Sequence, residues 1–225
     1  MRLVPMATMG ERAADELRTM ILRGDLPPGS ELKQDRLAEQ FGVSRVPVRE
    51  ALAMLERDGL VTVKSNRRVV VSEVTDADLL DHYAVRALIE GEAAARAARS
   101  NVDASVLTAA QRQNEEARLS DDLTSFLSSS TVLHRSIWDA GGGFWLKAMA
   151  TQLWSGRDYT PADLPQQLAR ASSEHELIVE AICDRSPERA RQAMTDHIMK
   201  TAGELLAYRA RLADGGPRPH VLTRP

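Results

Sequence analysis

Leu37-Ala38-Glu39-Gln40-Phe41-Gly42-Val43-Ser44-Arg45-Val46-Pro47-Val48-Arg49-Glu50-Ala51-Leu52 decides how this chain is read. Leu37, Ala38 and Phe41 put an apolar stripe on a first helix, and Gly42 supplies the backbone freedom for a sharp turn. Ser44 is suited to cap the helix that follows, and Pro47 falls in its first turn, where a missing N–H costs nothing. Val48, Ala51, Leu52 and Leu55 then recur at helical spacing as the buried face. That leaves Arg45 and Arg49, one turn apart, projecting near the helix N-terminus. Two helices joined in this way predict a helix-turn-helix. The first residues of its second helix reach base edges in the major groove, where arginine pairs with guanine or holds phosphate.

Outward from this stretch, Asp58-Gly59 marks a change from helical to alternating pattern. Leu60-Val61-Thr62-Val63-Lys64, a polar tip Ser65-Asn66-Arg67-Arg68, and Val69-Val70-Val71 predict a hairpin, the wing of a winged helix. Lys64, Arg67 and Arg68 would meet phosphate or enter a minor groove. Upstream, Ala14, Leu17, Ile21 and Leu22 form an amphipathic helix ending at Gly24, and Leu26-Pro27-Pro28-Gly29 is a rigid turn. The candidate DNA-contacting set is Arg36, Ser44, Arg45, Val46, Pro47, Arg49, Lys64, Asn66, Arg67 and Arg68.

The residues from Arg12 to Val71 resemble the winged helix of the GntR family of bacterial regulators. The resemblance rests on Leu17, Ile21, Gly24, Leu26-Pro27-Pro28-Gly29, Leu32, Leu37-Ala38, Gly42-Val43-Ser44-Arg45, Pro47-Val48-Arg49-Glu50-Ala51-Leu52, Leu55 and Gly59-Leu60. It implies a dimeric, sequence-specific transcription factor with Arg45 and Arg49 among its DNA contacts. One departure stands at the wing tip, where Arg68 replaces the small residue, often glycine, usual in the family.

The composition fits a regulator with a local, not global, basic surface. The 225 residues are 43% hydrophobic, enough for two modest cores, and the formal net charge is -3. A nonspecific nucleic-acid coat is thereby excluded. Between Lys33 and Arg68, however, eight basic residues outnumber five acids, so this half can present a positive face. The single cysteine, Cys183, forms no internal disulfide and suits a reducing compartment. Met1 to Gly10 lacks a signal-peptide pattern and no run approaches a membrane span, which predicts a cytoplasmic protein with no membrane partner.

The second half reads as helix throughout, with Asp76 as an N-cap. Segments 77–99, 103–119, 121–140, 144–159, 164–185 and 187–212 are separated by short breaks that include Gly141-Gly142-Gly143, Pro161 and Ser186-Pro187. Six helices with short connections predict an antiparallel bundle. The expected fold is therefore mainly α: an N-terminal winged helix-turn-helix at 11–73 and a helical effector-binding and dimerisation domain at 74–213. Residues 1–10 and the Gly- and Pro-rich 214–225 are expected to be disordered.

Three histidines lie on core-facing stripes. His175 falls in the series Leu168, Ala171, His175, Ile178, Ile182, and His197 in Ala190, Met194, His197, Thr201, Leu205, while His134 shares a face with Ser130 and Ile137. Taken singly, each is a hydrogen-bonded core histidine. Taken together, on three helices, they also read as a ligand set for zinc, nickel or another borderline divalent ion, and the pattern leaves both readings open.

This half resembles the FCD domain of the FadR-like branch, and with six helices the VanR-type variant. The match is carried by Tyr83-Ala84-Val85-Arg86-Ala87-Leu88-Ile89-Glu90, His134-Arg135-Ser136-Ile137, Glu174-His175-Glu176-Leu177-Ile178 and Ala193-Met194-Thr195-Asp196-His197-Ile198. Metal-binding members use three histidines matching His134, His175 and His197, with an aspartate at the position of Ser130. A serine hydroxyl is a poor ligand, so the resemblance implies weaker metal binding, a water in that place, or an effector that takes over the role. Gly143 is a second departure, standing where many relatives have asparagine. Arg86 matches an arginine that meets the carboxylate of a small organic acid, and its other reading is an i,i+4 pair with Glu90 on a solvated face. Trp138, Phe144, Trp145 and Trp154 surround the glycine break as core or as cavity lining.

The effector-site candidates are thus Arg86, Ser130, His134, Trp138, His175 and His197, with His134, His175 and His197 as metal ligands. The expected partners are a palindromic double-stranded operator, an organic acid and a second copy of the chain. Two other functions fit the same residues: a metal-dependent hydrolase with Glu174 or Glu176 as general base, and a bundle that only dimerises.

Overall fold

The computed structural model describes residues 8–100, 103–120, 122–154 and 164–214. Among them are nine helices and one two-stranded antiparallel sheet: α1 Met9–Leu22, α2 Gln34–Phe41, α3 Arg45–Arg57, β1 Val61–Val63, β2 Val69–Val71, α4 Asp76–Arg99, α5 Ala104–Leu119, α6 Leu123–Gly141, α7 Phe144–Leu153, α8 Leu164–Cys183 and α9 Pro187–Ala213. The fold is the expected one, a winged helix-turn-helix followed by a bundle of six helices, α4 to α9.

The described residues divide into two compact units, one of 8–76 with 207–214 and the other within 77–206. The boundary does not run at 213 as the sequence suggested. From Ala207 the last helix packs with the N-terminal unit, for reasons given below.

In the first unit, Leu17, Leu37, Val48, Leu52, Leu55, Val61 and Val71 form one buried core. Gly42 ends α2 at φ 63°, a left-handed conformation that a Cβ would strain. β1 and β2 pair in the register Val61↔Val71, Thr62↔Val70 and Val63↔Val69. A third segment escaped the sequence reading. Glu31 bridges Val70, with Leu32 N donating to Val69 O and Val71 N donating to Ser30 O, so the residues after the proline turn add a short edge to the wing.

Four local expectations are corrected. Residues 8–10 are ordered: Thr8 caps α1 through a reciprocal capping box with Glu11. The other residues of 1–10 and 215–225 lie outside the described residues. Ser44 occupies the N-cap position of α3 but makes no side-chain capping bond, so the first amides of the helix are not taken up by its hydroxyl. α7 ends at Leu153, because Trp154 is extended at ψ 119°; residues 155–159, also expected to be helical, lie outside the described residues. Asp76 is the first residue of α4 and not its cap.

In the second unit α5 packs on α6 and α8. Phe126, Leu168 and Ala171 form one cluster, and Ala93, Trp138 and Ala150 another. Gly141 lets α6 come against α4 so closely that a Cβ there would lie 1.9 Å from Ala93 O. The close approach is what brings the α6 residues His134 and Trp138 within reach of α4.

Candidate functional site

The DNA-facing candidates all lie on one unit. Val48, Ala51, Leu52 and Leu55 hold α3 against the core, and Arg45, Val46 and Arg49 on its outer side are exposed, with Pro47 half-buried. Arg36 on α2 and Lys64, Asn66, Arg67 and Arg68 on the wing are exposed as well. Arg45 is 73% exposed at its side chain and pairs with Asp35 across the turn at 2.5 Å. An ion pair so open to solvent is worth little, so Asp35 orients the guanidinium without retaining it.

The wing tip carries a feature hidden in the sequence. Arg67 N donates to Lys64 O and Lys64 N donates to Arg68 O, each at 2.8 Å, which forces Arg67 to φ 62°. The position that favours glycine in this turn is therefore Arg67 and not Arg68, the residue singled out from the family pattern. Asn66 does not project idly: its Oδ1 accepts from Arg68 N at 3.2 Å.

In the bundle, His134, His175 and His197 come together, all buried, with one ring nitrogen of each within 4.8 Å of the others. Each ring is held from behind at Nδ1. His134 Nδ1 meets Glu90 Oε2 at 2.6 Å, His175 Nδ1 meets Asn114 Oδ1 at 2.9 Å, and His197 Nδ1 meets Glu174 Oε2 at 2.9 Å. Asn114 uses its amide to donate to Phe126 O and Ser129 Oγ, which assigns its oxygen toward His175. All three partners are acceptors, so each Nδ1 carries the proton and each Nε2 is left with a lone pair. His134 Nε2 and His175 Nε2 face each other at 3.2 Å. Two lone pairs at that distance repel unless a cation, a proton or a metal ion, lies between them.

Burial makes His175 and His197 hard to protonate. It pushes His197 down to about 4, with only partial opposition from the bond to Glu174, and it holds His175 well below its ordinary value, where the Arg170 guanidinium also disfavours a further positive charge. Glu90 behaves differently. Burial alone would raise it, but the Arg86 guanidinium and His134 prevail and bring it down to about 2. Glu174 is also lowered: burial raises it, and bonds from His197 and Lys200 outweigh that.

Arg86 is 3% exposed, with Nε donating to Glu90 Oε1 at 2.6 Å and its guanidinium 4.4 Å from the Trp154 ring centre. The pair with Glu90 foreseen on a solvated face exists, but it is buried, and there such a pair needs every neighbour it has. Trp138 donates its indole N–H to Glu90 Oε2 at 3.0 Å, so it positions Glu90 as well as lining the core. Ser130 is buried one turn before His134 on α6. The aromatic cluster splits: Trp138 and Trp154 pack inward, whereas Phe144 and Trp145 are 75% and 74% exposed.

The comparisons with known proteins agree with both halves. Residues 9–71 match the model of bacterial regulatory proteins, gntR family, and residues 81–200, more than half the chain, match the FCD domain. The chain belongs to the GntR family. Among relatives of this GntR-family regulator, a probable D-xylose utilization operon transcriptional repressor of Paenarthrobacter nicotinovorans is 28% identical over 196 residues, 85% of this chain and 86% of the relative. The HTH-type transcriptional repressor NanR of Citrobacter rodentium is 28% identical over 214 residues, 84% of this chain and 82% of the relative. Among solved structures, E. coli McbR/YncC superposes with a TM-score of 0.70 at 23% identity, covering 90% of this chain and 99% of that one, a likeness of fold.

This GntR-family chain is a DNA-binding transcriptional regulator with a ligand-binding FCD domain, and not an enzyme. The hydrolase reading also fails on geometry. Glu174 is engaged by His197, Arg170 and Lys200, and Glu176 is exposed, so neither is placed as a base at the histidine centre. No helix among the described residues is long and apolar enough to cross a membrane.

Asn114 was missed from sequence, although it had a signal. It interrupts the buried stripe Leu107, Ala110, Ala117 of α5 at the spacing of a core position, where an unpartnered amide would be costly. Glu90 was read only as a partner of Arg86, and Glu174 only as a general base.

Proposed function

We propose that this regulator is a cytoplasmic repressor that binds a palindromic operator as a homodimer. It releases the operator when an organic acid occupies the FCD bundle together with a divalent metal ion such as zinc or nickel. The observation that carries the reading is the convergence of three buried imidazoles, one ring nitrogen of each within 4.8 Å of the others, whose Nδ1 atoms are committed to Glu90, Asn114 and Glu174. Acceptors behind each imidazole fix its tautomer and raise its basicity, the arrangement that suits a bound cation. The ion would supply positive charge for a carboxylate.

Ser130 adds no charge at this centre, so the anionic effector is left to complete the set of ligands. Arg86 would meet a second oxygen of the acid. The Trp154 Nε1 atom, buried and without a hydrogen-bond partner among the described residues, offers a further donor. A homodimer is supported by exposed apolar residues on α4 and α7, where Leu88, Trp145 and Met149 line a groove with Phe144 nearby. The effector acts by favouring one packing of the bundle; an acid that bound both packings equally would change nothing.

Elemental analysis of the purified protein, followed by capture of genomic fragments, tests the proposal. The expected result is about one divalent ion per chain, lost with a chelator along with melting temperature, and bound fragments with two-fold symmetry. Metal-free protein whose melting is indifferent to zinc and nickel would refute the metal reading.

A further inference from the structure

The last turns of α9 lie beyond both family matches, the second of which ends at residue 200, yet they are the part of the helix that packs with the DNA-binding unit. Three segments of that unit converge on one side chain there. Arg209 Nη1 donates to Leu22 O at 3.0 Å, Nη2 to Val74 O at 2.8 Å, and Nε to Asp76 Oδ1 at 2.8 Å. Leu22 O is one of the carbonyls at the end of α1 that no helix amide can reach, Val74 lies in the stretch leaving the wing, and Asp76 opens α4. The guanidinium is 17% exposed, and its planar fork suits three acceptors in a way that an ammonium does not. Beside it, Tyr208 is buried, with its hydroxyl 3.4 Å from Asp25 Oδ1 and the Arg23 guanidinium 5.8 Å from its ring centre.

We propose that Arg209 is a positioning residue for DNA recognition: it ties the stretch leaving the wing to the end of α1 and so fixes the direction in which the chain departs from the DNA-binding unit. A fixed exit matters because two winged helices engage two half-sites together only if their tethers hold them at the right spacing. Each extra conformation of the tether lowers the effective concentration of the second winged helix at its half-site. The contacts of Arg209 are with Leu22, Val74 and Asp76, none of which is among the residues expected at DNA. Its loss therefore acts on the cooperation between half-sites and leaves the single-site binding by Arg45 and Arg49 intact. This inference rests on the homodimer reading above.

The test uses the full-length protein and a DNA fragment that it selects from a random pool, intact and cut to one half-site. Arg209→Ala is expected to weaken binding to the intact fragment by about tenfold or more and to leave half-site binding within about twofold. Hydrogen exchange should rise at the amides of residues 22–26 and 72–77 but not within α3. Arg209→Lys, which restores one donor group, should recover part of both effects, and it takes the place of the alanine variant if that fails to fold. A wild-type preference for the intact fragment that survives Arg209→Ala overturns the positioning role. So does equal loss on both DNAs, or exchange that rises throughout α3. A wild-type protein that gains nothing from the second half-site overturns the dimer reading and this inference together.

Discussion

Glu90 Oε2 stands 2.6 Å from His134 Nδ1 while Glu90 Oε1 receives Arg86 Nε at the same distance, so one buried carboxylate joins the cation of α4 to the imidazole of α6. Trp138 adds a third bond to it. Remove that charge and two groups lose their balance at once.

Glu90→Gln should therefore destabilise the bundle by about 3–5 kcal/mol, the usual result of leaving one member of a buried pair uncompensated. If a metal is held as proposed, its affinity should also fall about 10- to 100-fold, because the amide no longer polarises His134. Chemical denaturation and zinc titration measure the two effects separately. Unchanged values in both would mean that the carboxylate is not coupled to the cluster.

Acid should weaken the metal-free protein in a defined window. His197 titrates near 6.5 in the unfolded chain and at about 4 in the folded one, so below 6.5 the unfolded state takes a proton that the native state refuses. Stability is complete at neutral pH, declines as pH falls from about 6.5, and His197 has contributed its whole loss near 4. His175, lowered for the same reason, adds to the decline. Glu90, lowered from 4.5 to about 2, extends it over that lower interval. Melting temperatures from pH 8 to pH 4 in the presence of a chelator check the sign; a maximum near pH 5 would contradict it.

Gly141→Ala should be among the most damaging conservative changes in the chain. Its Cβ would sit 1.9 Å from Ala93 O, against backbone that cannot swing aside, so α6 and α4 must separate. A loss of about 1–3 kcal/mol or more is expected from such overpacking, measured by urea denaturation. Gly143→Ala, with no atom within 4 Å of the added carbon, is the control.

Arg45→Ala should abolish specific operator binding, with circular dichroism and melting unchanged, since the side chain stands in solvent, paired with a similarly exposed Asp35. If Arg45 pairs with a base as expected, discrimination at that position should fall by about 1–3 kcal/mol. Affinity that is unaltered at fixed salt would refute the docking of α3.

Arg67→Gly should separate stability from recognition at the wing. Relief of the left-handed backbone should stabilise the fold by about 1 kcal/mol. Loss of the cation should reduce the slope of log affinity against log salt by about one if Arg67 holds a phosphate. An unchanged slope would remove Arg67 from the interface.

The first unit was largely legible in its sequence because its determinants are local. The turn at Gly42, the buried face of α3 and the alternation of the two wing strands are each set by residues a few positions apart. Where the reading faltered there, at Ser44 and Arg67, the outcome hung on hydrogen-bond geometry that residue type does not specify. The edge added by Glu31 required β2 to pass beside it, which no local pattern announces.

The bundle was legible only as a stripe of histidines on separate helices. Periodicity says that His134, His175 and His197 face inward, but a core histidine and a ligand face inward alike. What distinguishes them is the group behind each ring, and Glu90, Asn114 and Glu174 come from α4, α5 and α8 respectively. The exposure of Phe144 and Trp145 likewise depended on which neighbours the short α7 would find.

By itself, then, the sequence determined a helix-turn-helix, its wing and the inward aim of three imidazoles, because turn chemistry and periodicity act within a few residues. Tertiary structure alone decided that those imidazoles meet, with the Nε2 atoms of His134 and His175 facing each other, and that Arg209 belongs to the unit at the opposite end of the chain. Both depend on acceptors brought together from distant segments, and only packing sets their distances.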